Sequence, residues 1–308
     1  MSCQVEGKPE LYGLGIRVTF YIQWFGAIAV EYLEVADLPD IRLIGLLFSA
    51  AAFLGLIIQS SMTTLQPVDT YIVLLLAMGI YIFLVPLYVW KALTCFNPHW
   101  NPFRWSKETP TPAFKVLNFT LLLAITSFAV WYWCAYVPEN ACSTDQYGFF
   151  FSRVSLANKP FIAFNAIMYL VILLVCFVIL LLKVGWEVPF WRGKKKKRRT
   201  KLLARKMHVM LVKELKTLSN VAVAATLTAA IELVVSWNDV PDVNYVSGVA
   251  QLLPLLVSAG FLVRILFLHF AGVSDGSDSS EEDSDEGSHS YMTESQGGLP
   301  RPPPVHPR

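Results

Sequence analysis

Charged residues are scarce in this chain of 308 residues. They make up 16% of the sequence, whereas about a quarter is typical of soluble globular proteins. Hydrophobic residues reach 55%, and the mean hydropathy is +0.49. So few charges leave too little polar surface for a soluble fold of this size. The composition therefore predicts a membrane protein that crosses the bilayer several times.

Residues that build disulfide scaffolds and metal sites are also few. The five cysteines include no CxxC pair, and the five histidines are scattered, none at metal-ligand spacing with Cys, Asp or Glu. The sequence contains no GxSxG or HExxH motif, no glycine-rich phosphate loop after a strand and no intramembrane pair of aspartates. We therefore expect no catalytic residue, metal or cofactor, and we predict that the protein is not an enzyme.

Long apolar runs are abundant instead. A helix needs about 20 mostly apolar residues to cross a bilayer. Seven stretches meet this requirement: 14–33, 41–59, 70–91, 116–137, 160–183, 217–236 and 246–270. The first is the least apolar, because it contains Arg17, Gln23 and Glu31. We predict an all-α fold, a polytopic membrane helix bundle of about seven transmembrane helices within residues 14–271.

Lysine and arginine are divided unequally between the two sets of loops that seven spans create. One set holds Arg42, Lys91, Arg104, Lys107, Lys115 and the run from Arg192 to Lys206. The other set holds only Lys8, Arg153 and Lys159. Cytoplasmic loops are enriched in these residues. We therefore predict a short extracytoplasmic N-terminus, residues 1–13, and a cytoplasmic C-terminus, in the plasma membrane or an endomembrane.

Two kinds of residue inside the spans predict how the helices bend and pack. Pro86 and Pro254 each remove a backbone donor, so we expect kinks in the third and seventh spans. In the sixth span, Ala222, Thr226 and Ala230 recur every four residues. Small residues at this spacing let helices approach closely. We therefore expect the sixth span in the middle of the bundle.

Four ionisable residues fall inside the predicted spans, where an unpaired charge costs several kcal/mol. At about 1.5 Å per residue, Arg17 matches Glu232 in depth near the outer ends of spans one and six. Glu31 likewise matches Arg264 towards the inner ends of spans one and seven. We predict that at least one of these pairs holds the first span against the last two. The alternative is that all four side chains reach the headgroups independently.

The first span begins with a recognisable motif. "YGLGIR" at Tyr12–Arg17, followed by "YIQW" at Tyr21–Trp24, resembles the opening of a broad group of multi-pass membrane proteins from filamentous fungi. The resemblance covers the first span and, more loosely, the alternation of spans through the fourth. It implies a membrane location and no particular activity. The glycines of the motif predict close packing of the outer end of this helix.

The loop 184–216 is strongly basic. Its densest part is a run of six basic residues: Lys194, Lys195, Lys196, Lys197, Arg198 and Arg199. Apolar residues such as Leu203, Met207 and Met210 then recur at helical spacing. We predict an amphipathic helix along the inner leaflet, with the basic run binding anionic lipids. The alternative is a topology signal alone, and in a chain with so many spans we expect no nucleic-acid binding.

The composition of the last segment, 272–308, is unlike that of a membrane helix. It is acidic and then proline-rich, so we predict a disordered cytoplasmic tail. Four serines beside acidic residues are candidate phosphorylation sites: Ser277, Ser279, Ser280 and Ser284. The tail is therefore a candidate surface for cytoplasmic protein partners, and the alternative is a solvated tail that nothing binds.

Two cysteines are expected at the outer face. Cys134 and Cys142 lie eight residues apart at the outer end of the fourth span and are a candidate disulfide, with Cys3 as a rival partner. Because disulfides form in oxidising compartments, this pairing depends on the predicted orientation.

The function predicted from these features is that of a non-enzymatic membrane protein. The layout favours a sensor, a receptor-like protein or a scaffold whose basic loop and tail are interaction surfaces. Span three ends in "YVWKAL" and span seven in "RILFLHF", so the usual signatures of G-protein-coupled receptors are missing. The alternative is a transporter or channel for a small solute. Mid-bilayer polar groups are few, chiefly Gln23, Asn165 and Gln251.

Overall fold

Helices account for almost all of the described chain. The computed structural model describes the following ranges: 7–33, 38–62, 65–94, 111–140, 146–185, 202–246 and 248–271. The first half contains α1 (Pro9–Tyr12), α2 (Leu14–Tyr32), α3 (Leu38–Met62), α4 (Pro67–Ile82) and α5 (Leu84–Leu93). The second half contains α6 (Pro112–Trp131), a π-helical turn (Tyr132–Tyr136), α7 (Val137–Asn140), β1 (Tyr147–Phe149), β2 (Arg153–Ser155), α8 (Lys159–Gly185), α9 (Leu202–Trp237) and α10 (Val249–Phe270).

The helical, multi-span architecture predicted from the sequence is confirmed. Within the described residues, six helical stretches are long and apolar enough to cross a membrane, and the bent pair α4–α5 adds a seventh when it is taken as one span. The six are Pro9–Tyr32, Asp40–Met62, Pro112–Asn140, Lys159–Leu181, Val212–Trp237 and Val249–Phe267. Each overlaps one of the predicted stretches, and the bent pair overlaps the predicted third span.

Helix starts follow ordinary capping chemistry. Pro9, Pro67 and Pro112 occupy the first turns of α1, α4 and α6, where a missing backbone N–H costs nothing. The Thr111 hydroxyl accepts a hydrogen bond from the Phe114 N–H at 3.4 Å. These residues favour helix starts at α1, α4 and α6.

The third span bends, but the seventh does not break. The axes of α4 and α5 differ by 43° at Phe83. Pro86 lies three residues further on and lacks the N–H that would bind the Ile82 carbonyl, which explains a break at this point. In contrast, α10 runs without interruption past Pro254. The kink predicted for the third span is confirmed. The kink predicted at Pro254 stays a prediction, because an unbroken helix can still bend.

The centre of the bundle is α4, not the sixth span. Every residue from Pro67 to Leu74 is buried, as expected for a helix that is covered on all sides. In α9, by contrast, Ala222 and Thr226 are exposed, and only Ala230 of the predicted small-residue stripe is buried. The prediction that the sixth span is central is wrong, because most of this stripe faces lipid.

The sixth span is longer than predicted. α9 is a single helix of 36 residues, about 54 Å long at 1.5 Å per residue. The hydrocarbon core of a bilayer is about 30 Å thick. The segment from Leu202 to Leu211 therefore continues the span and extends beyond it, which corrects the prediction of a separate helix along the inner leaflet.

A short hairpin lies between the fourth and fifth spans. β1 and β2 pair antiparallel, with Tyr147 opposite Ser155 and Phe149 opposite Arg153. The side chain of Asn238, at the end of α9, donates to the Tyr147 carbonyl at 2.8 Å and accepts from the Tyr147 N–H at 2.8 Å. The Asn238 side chain thus bonds to both backbone groups of Tyr147, as a neighbouring strand would, and joins the hairpin to the sixth span.

The loops divide between two ends of the bundle. The hairpin end contains α1, the start of α4, the hairpin and residues 238–246, which are joined by contacts such as Tyr12 to Asp69 at 2.5 Å. The basic end contains the end of α2, the start of α3 and the part of α9 around Lys213, whose ammonium donates to the Tyr32 carbonyl at 3.3 Å. These ends hold the same loops that the sequence assigns to opposite sides of the membrane.

Candidate functional site

Arg17 is the centre of a polar cluster at the hairpin end. It lies one turn inside α2, and its side chain is fully buried. Its Nη1 atom lies 2.5 Å from Glu232 Oε2 on α9. Its Nη2 atom donates to the Val243 carbonyl at 3.0 Å and to Asn244 Oδ1 at 2.9 Å. The structure therefore brings together the predicted pair and also ties it to the loop before α10.

The second carboxylate oxygen of Glu232 is also bonded. Tyr21, one turn after Arg17 on α2, donates its hydroxyl to Glu232 Oε1 at 2.7 Å. Both oxygens of Glu232 thus have donors, although 43% of its side chain is exposed. A buried arginine with a hydrogen-bonded carboxylate is an arrangement that offsets part of the cost of removing both charges from water.

Glycines allow α10 to approach this cluster closely. A Cβ added to Gly13 would lie 2.4 Å from the Gln251 side chain, and one added to Gly15 would lie 2.7 Å from the Gln251 carbonyl oxygen. The Gly15 N–H in turn donates to Gln251 Oε1 at 3.2 Å. The predicted role of these glycines in close helix packing is confirmed.

An open pocket lies over the ion pair. Its volume is about 380 Å³, which falls within the usual size of small-ligand sites, about 300–1,000 Å³. It is lined by Glu232, Val235, Ser236, Asp239, Val240 and Asn244. The lining therefore combines polar side chains, among them Glu232 paired with Arg17, with two buried valines.

The loop beside this pocket, residues 238–246, has two residues in the left-handed backbone region. Asp239 has φ 45° and Asp242 has φ 62°, a conformation that aspartate tolerates better than most residues. Tyr245 donates its hydroxyl to Asp242 at 3.0 Å. This hydrogen bond to a carboxylate raises the pKa of the exposed Tyr245 phenol, and the negative charge of Asp242 acts in the same direction.

Glu31 finds different partners from the one predicted. It pairs with Lys216 of α9 and lies 3.6 Å from Arg42 Nη2 of α3. Arg264 is exposed on α10 and is not among the partners of Glu31 in the described residues. The prediction of a Glu31–Arg264 pair is therefore wrong. Depth alone did not decide it, because two other basic side chains reach Glu31 from neighbouring helices.

A hydrogen bond near mid-membrane also joins α2 to α10. Gln23 Nε2 donates to Ser258 Oγ at 2.9 Å, and both side chains are buried. Gln23 Oε1 has no partner among the described residues. Asn165 on α8 donates to its own helix, to the Phe161 carbonyl at 2.9 Å. Gln23 therefore joins two helices, whereas the hydrogen bond of Asn165 lies within one helix.

Most of the remaining predicted site residues lie outside the part of the chain that the structure describes. The basic run Lys194–Arg199 and the serines 277, 279, 280 and 284 lie outside the described residues, and so does Cys142. Cys134 is an exposed free cysteine in the π-helical turn, and its pairing with Cys142 stays a prediction. The turn directs Cys134 outward, away from the buried face of the helix.

Comparisons with known proteins identify no family. No protein-family model, no curated protein and no solved structure matches this chain. The resemblance to the fungal membrane proteins therefore stays a prediction from the sequence. Within the described ranges, no group of three or more His, Cys, Asp or Glu side chains is placed to hold a metal ion.

Sequence reasoning missed several members of the polar clusters. Tyr21 stands four residues after Arg17, so the helical period places both on one face. That spacing was the available signal for Tyr21. Lys216 was missed because it precedes the predicted start of the sixth span. Asn244 lies in a loop, and its distance from Arg17 depends on the fold of that loop, for which the sequence offers no signal.

Proposed function

We propose that the protein is a non-enzymatic, receptor-like or sensor membrane protein that recognises a small polar solute in the pocket over the Arg17–Glu232 pair. The pocket carries this proposal. It opens at one end of the bundle, it is of ligand size, and its lining includes Glu232, which is paired with the buried Arg17. A scaffold that only joins other proteins needs no such site.

The same helices offer a path from the pocket to the other end. α2 is joined to α9 by Arg17–Glu232 near one end and by Glu31–Lys216 near the other. A solute that displaced Glu232 would therefore act on a helix whose far end is also held by charge. Coupling of this kind requires an element with two arrangements, and the α2–α9 contact is our candidate for it.

The orientation in this proposal comes from the distribution of lysine and arginine. The hairpin end would face outward and the basic end would face the cytoplasm. The loop 184–216 and the tail 272–308 are then the proposed interaction surfaces, the loop for anionic lipids and the tail for cytoplasmic proteins. The membrane concerned is the plasma membrane or an endomembrane, and the relation to the fungal group belongs to the same proposal.

The experiment is a binding screen with a blocked pocket. Purified full-length protein in nanodiscs is heated with a panel of amino acids, polyamines and sugars, and the unfolding midpoint is recorded. The variant Ser236→Trp fills the pocket, and Ser60→Trp, at an exposed serine that does not line it, is the matched control.

A true ligand raises the midpoint of the wild type and of Ser60→Trp but not that of Ser236→Trp, since binding to the native state alone stabilises it. If every stabilising compound acts equally on all three proteins, the pocket is not a recognition site and the proposal fails.

A transporter or channel for a small solute is the second candidate. The broken span α4–α5, with its 43° bend, is the observation that favours it, because discontinuous helices are common in transporters. Liposomes containing the protein would be tested for uptake of the compounds that bind in the screen. Uptake that saturates and is lost in Ser236→Trp would favour transport over sensing.

A further inference from the structure

The turn of the β1–β2 hairpin holds a phenylalanine where a turn usually needs glycine. Phe150, Phe151 and Ser152 connect the two strands, and the Phe150 N–H donates to the Ser152 carbonyl at 3.2 Å. Phe151 has φ 55°. In three-residue hairpin loops the left-handed position is usually glycine, and a bulky residue there is a genuine outlier.

The same residue exposes its ring almost completely. Phe151 is 83% exposed, the highest value among the exposed large apolar side chains of the described chain. Backbone strain and an apolar ring outside the protein core are two costs at one position. A residue that breaks local rules in this way points to a function outside the fold itself.

The neighbouring residue shows at what depth the hairpin tip lies. The ring of Phe150 packs against Phe164 of α8, with centroids 5.1 Å apart, and against Phe161 at 6.3 Å. Phe164 is half exposed on a span that is 17% buried, so its outer face contacts lipid. Because Phe164 lies about one turn inside the start of α8, the tip lies beside the headgroup layer.

The body of the hairpin is fixed to the bundle, so its tip has a defined position. Phe149 stacks on Trp237 with an interplanar angle of 16°, and Tyr71 donates its hydroxyl to the Phe149 carbonyl at 3.4 Å. A Cβ added to Gly148 would lie 2.9 Å from the Phe161 ring. The tip is therefore held against α8 rather than free in solution.

We propose that the hairpin tip, Phe150 and Phe151, binds the lipid interface of the leaflet at the hairpin end. The occupant is the phospholipid bilayer itself, because the tip continues the lipid-facing surface of α8 through the Phe150–Phe164 contact. Aromatic rings concentrate at this level of a membrane. In lipid, the exposed ring of Phe151 is no longer a cost, and its burial offsets the strain of its backbone.

A positive charge accompanies the ring. Arg153 is exposed next to the tip, with its guanidinium carbon 3.7 Å from the centre of the Tyr147 ring and its Nη2 donating to the Trp237 carbonyl at 3.3 Å. A guanidinium at the level of the headgroups suits the phosphate groups of phospholipids. This proposal is independent of any solute in the pocket over Arg17.

The test measures the depth of residue 151 directly. Trifluoromethyl-phenylalanine is incorporated singly at position 151, 164 or 245 of the full chain, which is then placed in phosphatidylcholine nanodiscs. Fluorine NMR broadening is recorded with a gadolinium chelate in the water and, separately, with a lipid that carries a nitroxide near its headgroup. Position 164 is the lipid control, and position 245, an exposed tyrosine of the loop before α10, is the water control.

We expect residue 151 to be broadened by the nitroxide lipid as residue 164 is, and severalfold less than residue 245 by the gadolinium chelate. Broadening at 151 that matches residue 245 would place the ring in water and overturn the proposal. Protection from both agents would mean that a protein surface covers the ring, a second copy included, and would also overturn it.

A second measurement removes the ring without breaking the turn. Asparagine tolerates the left-handed conformation, so Phe151→Asn keeps the backbone while losing the apolar contact. In nanodiscs, the Phe150 amide should exchange its hydrogen severalfold faster in this variant than in the wild type. Equal exchange rates would show that the ring anchors nothing.

Discussion

At the scale of single residues, a few side chains fit the bundle only because particular neighbours bond to them or leave space for them. Arg17 is fully buried, and its guanidinium bonds to oxygen atoms of Glu232, Val243 and Asn244. Glu232 in turn accepts a hydrogen bond from Tyr21. Trp24 shows the same dependence for an apolar contact, because its ring lies against a glycine of α4. Both residues sit on α2, which explains why the least apolar predicted span is well packed.

Exchanging the two charges tests the first of these contacts. Glu232→Arg places two cations together, so we expect the free energy of unfolding in detergent to fall by about 3 kcal/mol. Adding Arg17→Glu restores opposite charges and should recover part of the loss. The recovery is incomplete because Val243 and Asn244 lose their donor. A double variant as unstable as the sum of the single variants would contradict the pairing.

A substitution at Gly79 tests the apolar contact between Trp24 and α4. A Cβ at this position would lie 2.1 Å from Trp24 Cζ2, so Gly79→Ala should lower the free energy of unfolding by about 1–3 kcal/mol through overpacking. The control is Gly260→Ala in α10, where nothing lies within 4 Å. That variant should be unchanged or more stable by up to about 1 kcal/mol. Equal effects at the two glycines would contradict the close approach.

At the scale of elements, the ends of the helices matter more than their middles. The hairpin, the end of α9 and the start of α4 are joined by side-chain hydrogen bonds to backbone groups, which no lipid could replace. Asn238 is the main link, because it serves both backbone groups of Tyr147 and also donates to the Val234 carbonyl at 2.7 Å. Asn238 therefore contributes two of the side-chain hydrogen bonds that hold the hairpin.

Replacing that side chain should loosen the hairpin without unfolding the spans. Asn238→Ala leaves the Tyr147 N–H without its acceptor, a loss of about 1–3 kcal/mol. We expect faster amide exchange at Tyr147 in nanodiscs, with unchanged exchange in α8. Asn140→Ala is the control, since Asn140 is exposed at the same end and donates to the Tyr136 carbonyl within its own helical segment. Unchanged exchange at Tyr147 would show that the hairpin is held by other contacts.

At the scale of the whole molecule, the two ends differ in chemistry. The hairpin end is closed by aromatic rings and a polar loop, whereas the basic end carries Lys213, Lys216 and Arg42 around the end of α2. An asymmetry of this kind agrees with one end facing the cytoplasm. The pocket over Arg17 and the hairpin tip lie at the opposite end of the bundle from Lys213 and Lys216.

The orientation can be measured in sealed vesicles whose cytoplasmic side faces inward. With a tag at each terminus, external protease should remove the N-terminal tag and leave the C-terminal tag intact. The reason is the excess of lysine and arginine in one set of loops. Digestion of the C-terminal tag would reverse the orientation and remove the basis for the proposed cytoplasmic surfaces.

The sequence by itself determined where the long apolar helices lie and in what order, because a bilayer demands long apolar runs whatever their neighbours are. Depth along the helix also sufficed to match Arg17 with Glu232, which the structure brings together. Only the tertiary structure decided that Glu31 meets Lys216 and Arg42, and that α4 rather than α9 is central. Depth is a one-dimensional quantity that the sequence contains. The rotation of each helix and the choice of its neighbours depend on packing among all the helices, which no single stretch of sequence specifies.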